Sequence, residues 1–156
     1  MTAQSPDLLE RIIGVPPNSP LSRLRALRPD IVRHTQGSHD VLLCPADPGG
    51  LPLQERALIA ARVAEASGHA ALTRHYRQLL AERGDPPQGK RLDTIRQHVE
   101  RVATAPRTAL PAHIEALCAV GLSGRDIVAL TQIVAFVSYQ VRAAVGLALL
   151  AEGAAA

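Results

Sequence analysis

Apolar residues recur at intervals of three and four along most of this chain, and strict alternation is nearly absent. The clearest segment runs from Leu53 to Ser67, where Leu58, Ile59, Ala61, Val63 and Ala64 are apolar round most of a helical surface. A helix of that pattern is buried on several sides. Gly68 stops it, and a second helix is predicted from about His69 to Glu82, with Leu72, Tyr76, Leu79 and Leu80 as its stripe. The run from Gly84 to Gly89 breaks the pattern. Beyond it, Leu92, Ile95, Val99 and Val102 mark a third helix. Pro111 opens a fourth, with Ile114, Leu117 and Val120, and Gly121 closes it. Ser123 with Asp126 matches a capping box, and Leu122 with Ile127 matches a hydrophobic staple. From Ile127 an apolar helix continues to about Glu152.

Ahead of this body the chain is punctuated more often. Ser5-Pro6, Ser19-Pro20 and Pro29 each suit a helix start, and predict short helices at about 6–13, 20–27 and 29–42. Cys44 to Gly50 reads as a loop. The expected architecture is all-α, a helical bundle with a long C-terminal helix. Residues 1–50 form an N-terminal helical extension packed on a core of residues 51–156, within a single domain. Arg23, Arg25, Arg28 and Arg33 read as a solvated helix face, since no aromatic residue accompanies them for base stacking.

Composition sharpens that picture. Aromatics are 2% of the chain, so the core must be aliphatic, which suits close-packed helices. The net charge is only +3 and Lys90 is the sole lysine, which excludes a strongly basic nucleic-acid binder. Two cysteines, Cys44 and Cys118, supply neither a zinc cluster nor a disulfide framework. No cofactor or metal is expected, because the histidines show no ligand spacing: His34 and His39 are too far apart for a helix-face pair, and His98 and His113 read as single exposed residues. The first residues lack the charged and apolar regions of a signal peptide. The last helix is long enough to span a membrane, but Gln132, Gln140 and Arg142 near its middle argue against a span. A cytoplasmic homo-oligomer, with this helix shared between a core and a subunit interface, is the expectation.

The run from Leu51 to Ala64, then Gly68, resembles the central helix of the carboxymuconolactone decarboxylase and AhpD-like alkylhydroperoxidase superfamily. Ala119 to Val128, followed by Phe136 to Arg142, resembles that family's closing segment, a Gly-Leu-Ser turn before a long helix that carries an aromatic residue and an arginine, here Tyr139 and Arg142. The resemblance covers roughly residues 50–150. It implies an all-α bundle that assembles into dimers, trimers or hexamers, and in the peroxidase branch a Cys-x-x-Cys-x-x-x-His run after the glycine, with a glutamate relay one helix earlier.

This chain departs from that motif at each chemical position. His69 stands where the first cysteine belongs, Leu72 at the second and Tyr76 at the histidine, with His75 one residue off; Ala57 stands at the relay glutamate. Glu55 matches only the acidic residue at the helix start. The resemblance therefore implies the scaffold without the thiol chemistry, and a binding or companion module is expected, with a small-molecule ligand. The alternative is an enzyme on the same scaffold. In it His69 or His75 moves a proton, Tyr76 acts as acid or oxyanion donor, and Arg62 or Arg142 holds the carboxylate of a small carbonyl acid. A peroxidase requires a different register. Structural roles remain open for the same residues: a satisfied interior face for His69, His75 and Tyr76, and ion pairs for Glu55, Arg56, Arg62 and Arg142, with Glu55 or Glu65 as partner of Arg142.

Overall fold

A computed structural model describes residues 7–153, which form eight α-helices and one short 3-10 turn. The helices are α1 (Leu8–Ile13), α2 (Pro20–Ala26), α3 (Pro29–Leu43), α4 (Leu53–Ala66), α5 (Ala70–Arg83), α6 (Lys90–Thr104), α7 (Pro111–Ala119) and α8 (Gly124–Gly153). No strand occurs among the described residues. The all-α expectation is met.

Helix α4 lies at the centre, packed against α3, α5, α6 and α8. Its alanines explain why so many neighbours fit: Ala57, Ala60 and Ala64 are fully buried and let the adjoining helices approach closely. Ile59 and Val63 fill the space between them. Gly68, at φ 70°, takes the left-handed turn that ends α4 and starts α5, a conformation glycine adopts without a Cβ penalty. The short N-terminal helices close the other side, α1 against α5 and α8 and α3 against α4 and α8.

The start of α8 follows its sequence signature. Ser123 Oγ accepts the Asp126 N–H at 3.3 Å, and Asp126 Oδ2 accepts the Ser123 N–H at 2.9 Å. Leu122 and Ile127 are both buried across that cap, as the staple requires. Leu130, Ile133, Val134, Val137 and Ala144 then face the core, while the opposite side of α8 stays exposed. Among the described residues, α8 alone is long and apolar enough to cross a membrane, and 33% of its most apolar window is buried within the chain.

Several expectations are corrected here. Ser5 and Pro6 lie outside the described residues; the cap of α1 is Asp7, whose Oδ1 accepts the Glu10 N–H at 2.8 Å. Arg25 is not part of a solvated face: it pairs with Asp7 and, at 3.0 Å, with Glu10, and so ties α2 to α1. His98 is buried rather than exposed, at 5%. Its burial, with His113 and Arg101 nearby, lowers its pKa from the ordinary value. Arg142 finds neither of its expected carboxylates. Glu55 pairs with Arg91 and Glu65 with Arg62 and Arg77, so the exposed Arg142 has no ion pair among the described residues.

Candidate functional site

Tyr76 is fully buried near the middle of α5, and with Phe136 it supplies the rings of a mostly aliphatic core. Its hydroxyl donates to Oε1 of Gln140, a residue of α8 that is 1% exposed. Burial holds the phenol well above its ordinary pKa, and the bond to Gln140 only partly opposes that shift. Tyr76 is therefore a fixed hydrogen-bond donor across the pH range of life, and a poor acid.

Two imidazoles sit against this ring. His75 meets Tyr76 edge-on, with centroids 4.9 Å apart. His39, from α3, stacks on Tyr76 at 6.4 Å and lies 6.1 Å from His75 and 6.5 Å from Phe136. Asp40 Oδ1 is 3.1 Å from His39 Nδ1. A carboxylate there favours the tautomer with hydrogen on Nδ1, which leaves the lone pair on Nε2. Burial, reinforced by His39 in its protonated form and by Arg11, lowers the pKa of His75 from 6.5 to about 4. His75 is consequently neutral near pH 7.

The cluster is incomplete in hydrogen-bonding terms. His39 Nε2, His75 Nε2 and Gln140 Nε2 are all buried and have no partner among the described residues. Buried polar atoms are nearly always satisfied by protein or water. Three such atoms lie around one phenol, and two more, His98 Nδ1 and Arg101 Nε, are unpartnered on α6. An ordered water is the smallest occupant; a hydroxyl or carboxyl group can donate to a lone pair on His39 and accept from the Gln140 amide.

The structure groups only part of the expected set. His75 and Tyr76 are in the cluster. His69 is the N-cap of α5, not a residue of its first turn, and its Nδ1 accepts the Leu72 N–H at 3.2 Å. Arg62 is exposed and reaches Glu65 at 3.3 Å on its own helix. Glu55 is buried and engaged by Arg91 through two bonds of 2.8 and 2.9 Å, and Arg91 also donates to the Gly50 carbonyl at 2.6 Å. Arg56 forms no ion pair among the described residues; its guanidinium donates to the carbonyls of Leu42, Leu51 and Pro48 at 2.8–2.9 Å and pins the loop before α4. Glu55 and Arg56 thus serve the loop that connects α3 to α4.

His39 and Gln140 are the members that sequence reasoning missed. Gln140 carried a usable signal: it falls seven residues after Ile133 and four before Ala144, on the buried face of an apolar helix. His39 carried a weaker one: it falls seven residues after Val32 and four before Leu43, but of these two only Leu43 is buried.

The two thiols lie away from the position of the peroxidase motif. Both are free and exposed. Cys44 Sγ accepts from Arg83 at 2.9 Å, which places it at the C-terminal end of α5, opposite to His69. Cys118 is on α7. Among the described residues no group of three His, Cys, Asp or Glu side chains is arranged to hold a metal ion. Comparison of the whole chain with family models, curated proteins and solved structures finds no match.

Proposed function

We propose that the chain is a non-peroxidase binding module on an AhpD-like scaffold, acting as a cytoplasmic homo-oligomer. Its ligand is a small hydroxyl- or carboxyl-bearing molecule held at His39, His75 and Gln140. The observation that carries this reading is the trio of unpartnered buried nitrogens around Tyr76. The absence of thiol chemistry is supported by His69, which caps α5 where the motif would place the first cysteine.

Isothermal titration with lactate and pyruvate tests the binding site. Saturable binding is expected to wild type and to be lost in His75→Phe and Gln140→Leu. Wild type that takes up neither acid, or variants that bind them equally well, would overturn the site. Replacing both Cys44 and Cys118 with serine should leave peroxide consumption unchanged at background. A wild-type peroxidase activity that disappears in the double variant would end the non-peroxidase reading.

A second reading has one specific observation in its favour: His75 is kept neutral near pH 7, so its lone pair is free, although the lowered pKa makes it a weaker base than an ordinary imidazole. On that reading the chain is an enzyme for a small carbonyl acid, with His75 as base. NMR in D2O decides it, since exchange of the pyruvate methyl protons must then depend on His75.

A further inference from the structure

The outer face of α8 carries a second periodic row, made of exposed residues. Val128, Gln132, Ala135, Tyr139, Arg142 and Gly146 are all exposed, and they recur at alternating intervals of four and three. That is a heptad seam about 27 Å long, on the side of the helix away from Leu130, Ile133 and Val137. Its composition is mixed: Val128 is 56% and Tyr139 44% exposed, beside the polar Gln132 and Arg142 and the small Ala135 and Gly146. Arg142, one layer from its C-terminal end, makes no hydrogen bond or ion pair with any described residue. Helix α3 borders the seam with two more exposed apolar residues, Ile31 and Val41. An open groove of about 580 Å³ runs between α3 and α8, and a second of about 390 Å³ lies where α1 and α2 also meet them.

We infer that this seam pairs antiparallel with its own copy across a two-fold axis. The inference rests on the homo-oligomer reading above and specifies its geometry. In an antiparallel pair, each residue of one heptad set lies beside a residue of the other set on the partner helix. One register fits every layer. Tyr139 lies beside the partner's Ala135, and Val128 beside the partner's Gly146, so a large side chain meets a small one both times. Gln132 then lies beside the partner's Arg142, whose guanidinium donates to the amide oxygen.

The alternatives fail on the same residues. A slip of one heptad in one direction sets Arg142 beside the partner's Arg125, two like charges. A slip in the other sets Ala135 beside the partner's Gly146, which leaves a void. Parallel pairing stacks Arg142 on itself. A membrane is a poorer occupant, because Arg142 would lie near the middle of the span. The seam is also self-complementary, as an isologous two-fold contact must be.

Cross-linking tests the register in full-length protein with Cys44→Ser and Cys118→Ser. The combined variant Val128→Cys with Gly146→Cys should form a disulfide-linked dimer on mild oxidation, whereas each single cysteine should not. In light scattering over a dilution series, Gln132→Arg should raise the dimer Kd about tenfold, equivalent to about 1.4 kcal/mol, and Gln132→Glu should lower it. Circular dichroism confirms that each variant is folded. An oligomeric wild type whose paired cysteines do not cross-link, or whose single variants cross-link equally, overturns the register while the oligomer reading stands. A wild type that stays monomeric, or that co-sediments with phosphatidylcholine vesicles instead, overturns both.

Discussion

Gln140 accepts the phenolic hydrogen bond of Tyr76 through Oε1, and its amide nitrogen is left buried with no partner. The two residues are 64 apart in sequence, on α5 and α8, so the bond joins the helix that carries the site to the longest helix of the fold. A neutral donor and acceptor satisfy each other there, and neither Tyr76 nor Gln140 Oε1 is free to titrate or to bind. The capacity of the site for chemistry lies instead in His39, His75 and the Gln140 amide.

Tyr76→Phe removes the donor and leaves both ends of the buried Gln140 amide unpaired. A stability loss of about 1–3 kcal/mol is expected from urea unfolding. Adding Gln140→Leu to Tyr76→Phe should recover part of that loss, because no polar group is then stranded. If the double variant is as unstable as the sum of the two singles, the bond is not coupled in this way.

His75 predicts an acid-side weakness. Its folded pKa, about 4, lies below the ordinary 6.5, so the unfolded chain binds the proton more readily. Its contribution to stability is complete above pH 6.5 and is lost as pH falls from there to about 4. The groups that set this are burial first, then His39 and Arg11, with Glu82 opposing them. Thermal midpoints for wild type and His75→Phe, measured between pH 7 and pH 4, should differ in slope, with the wild type falling more steeply. Parallel slopes would contradict the buried neutral imidazole.

Asp126 has two duties that sequence reasoning read only in part. It caps α8 with Ser123, and its Oδ1 also accepts the Gly50 N–H at 2.9 Å. Burial alone would raise its pKa, but the bonds from Ser123 and Gly50 and the nearby Arg91 bring it below the ordinary value. A Cβ at Gly50 would come within 2.6 Å of the same carboxylate. Asp126→Ala should lower stability by about 2–3 kcal/mol, more than a cap alone. Gly50→Ala should also destabilise, by displacing the carboxylate. A loss below about 1 kcal/mol in Asp126→Ala would mean that the loop contact adds nothing.

The local signals in the sequence were read well because they act within one turn of helix. Ser123, Asp126, Leu122 and Ile127 determine the start of α8 among themselves, and the alanines of α4 announce a helix packed on several sides. The site was only half legible. His75 and Tyr76 are adjacent in α5, but His39 and Gln140 reach them only because α3 and α8 pack on α5's neighbours. The same limit explains Glu55, Arg56 and Arg142. Charge pairing was expected from type and proximity along the chain, yet Arg91 on α6 claims Glu55, and the loop carbonyls claim Arg56. Long side chains can reach several partners, and only tertiary packing selects one.

His69 gives the sharpest separation of a structural role from a chemical one. Its Nδ1 accepts the Leu72 N–H, one of the N–H groups that a helix start leaves unpaired. His69→Ala should therefore cost about 1 kcal/mol, the usual loss of an N-cap. His69→Asp should restore that loss or exceed it, because a carboxylate both accepts the N–H and favours the positive end of the helix dipole. An acid–base role predicts the same stability order but loss of exchange in both variants, since aspartate keeps the cap but cannot replace an imidazole near pH 7. Chemical unfolding of the two variants, beside pyruvate exchange in D2O, reads both properties at once. Stability rescued by aspartate with exchange unaltered in both variants assigns His69 to the cap. Exchange lost in both, with stability rescued, would make it a working part of the site.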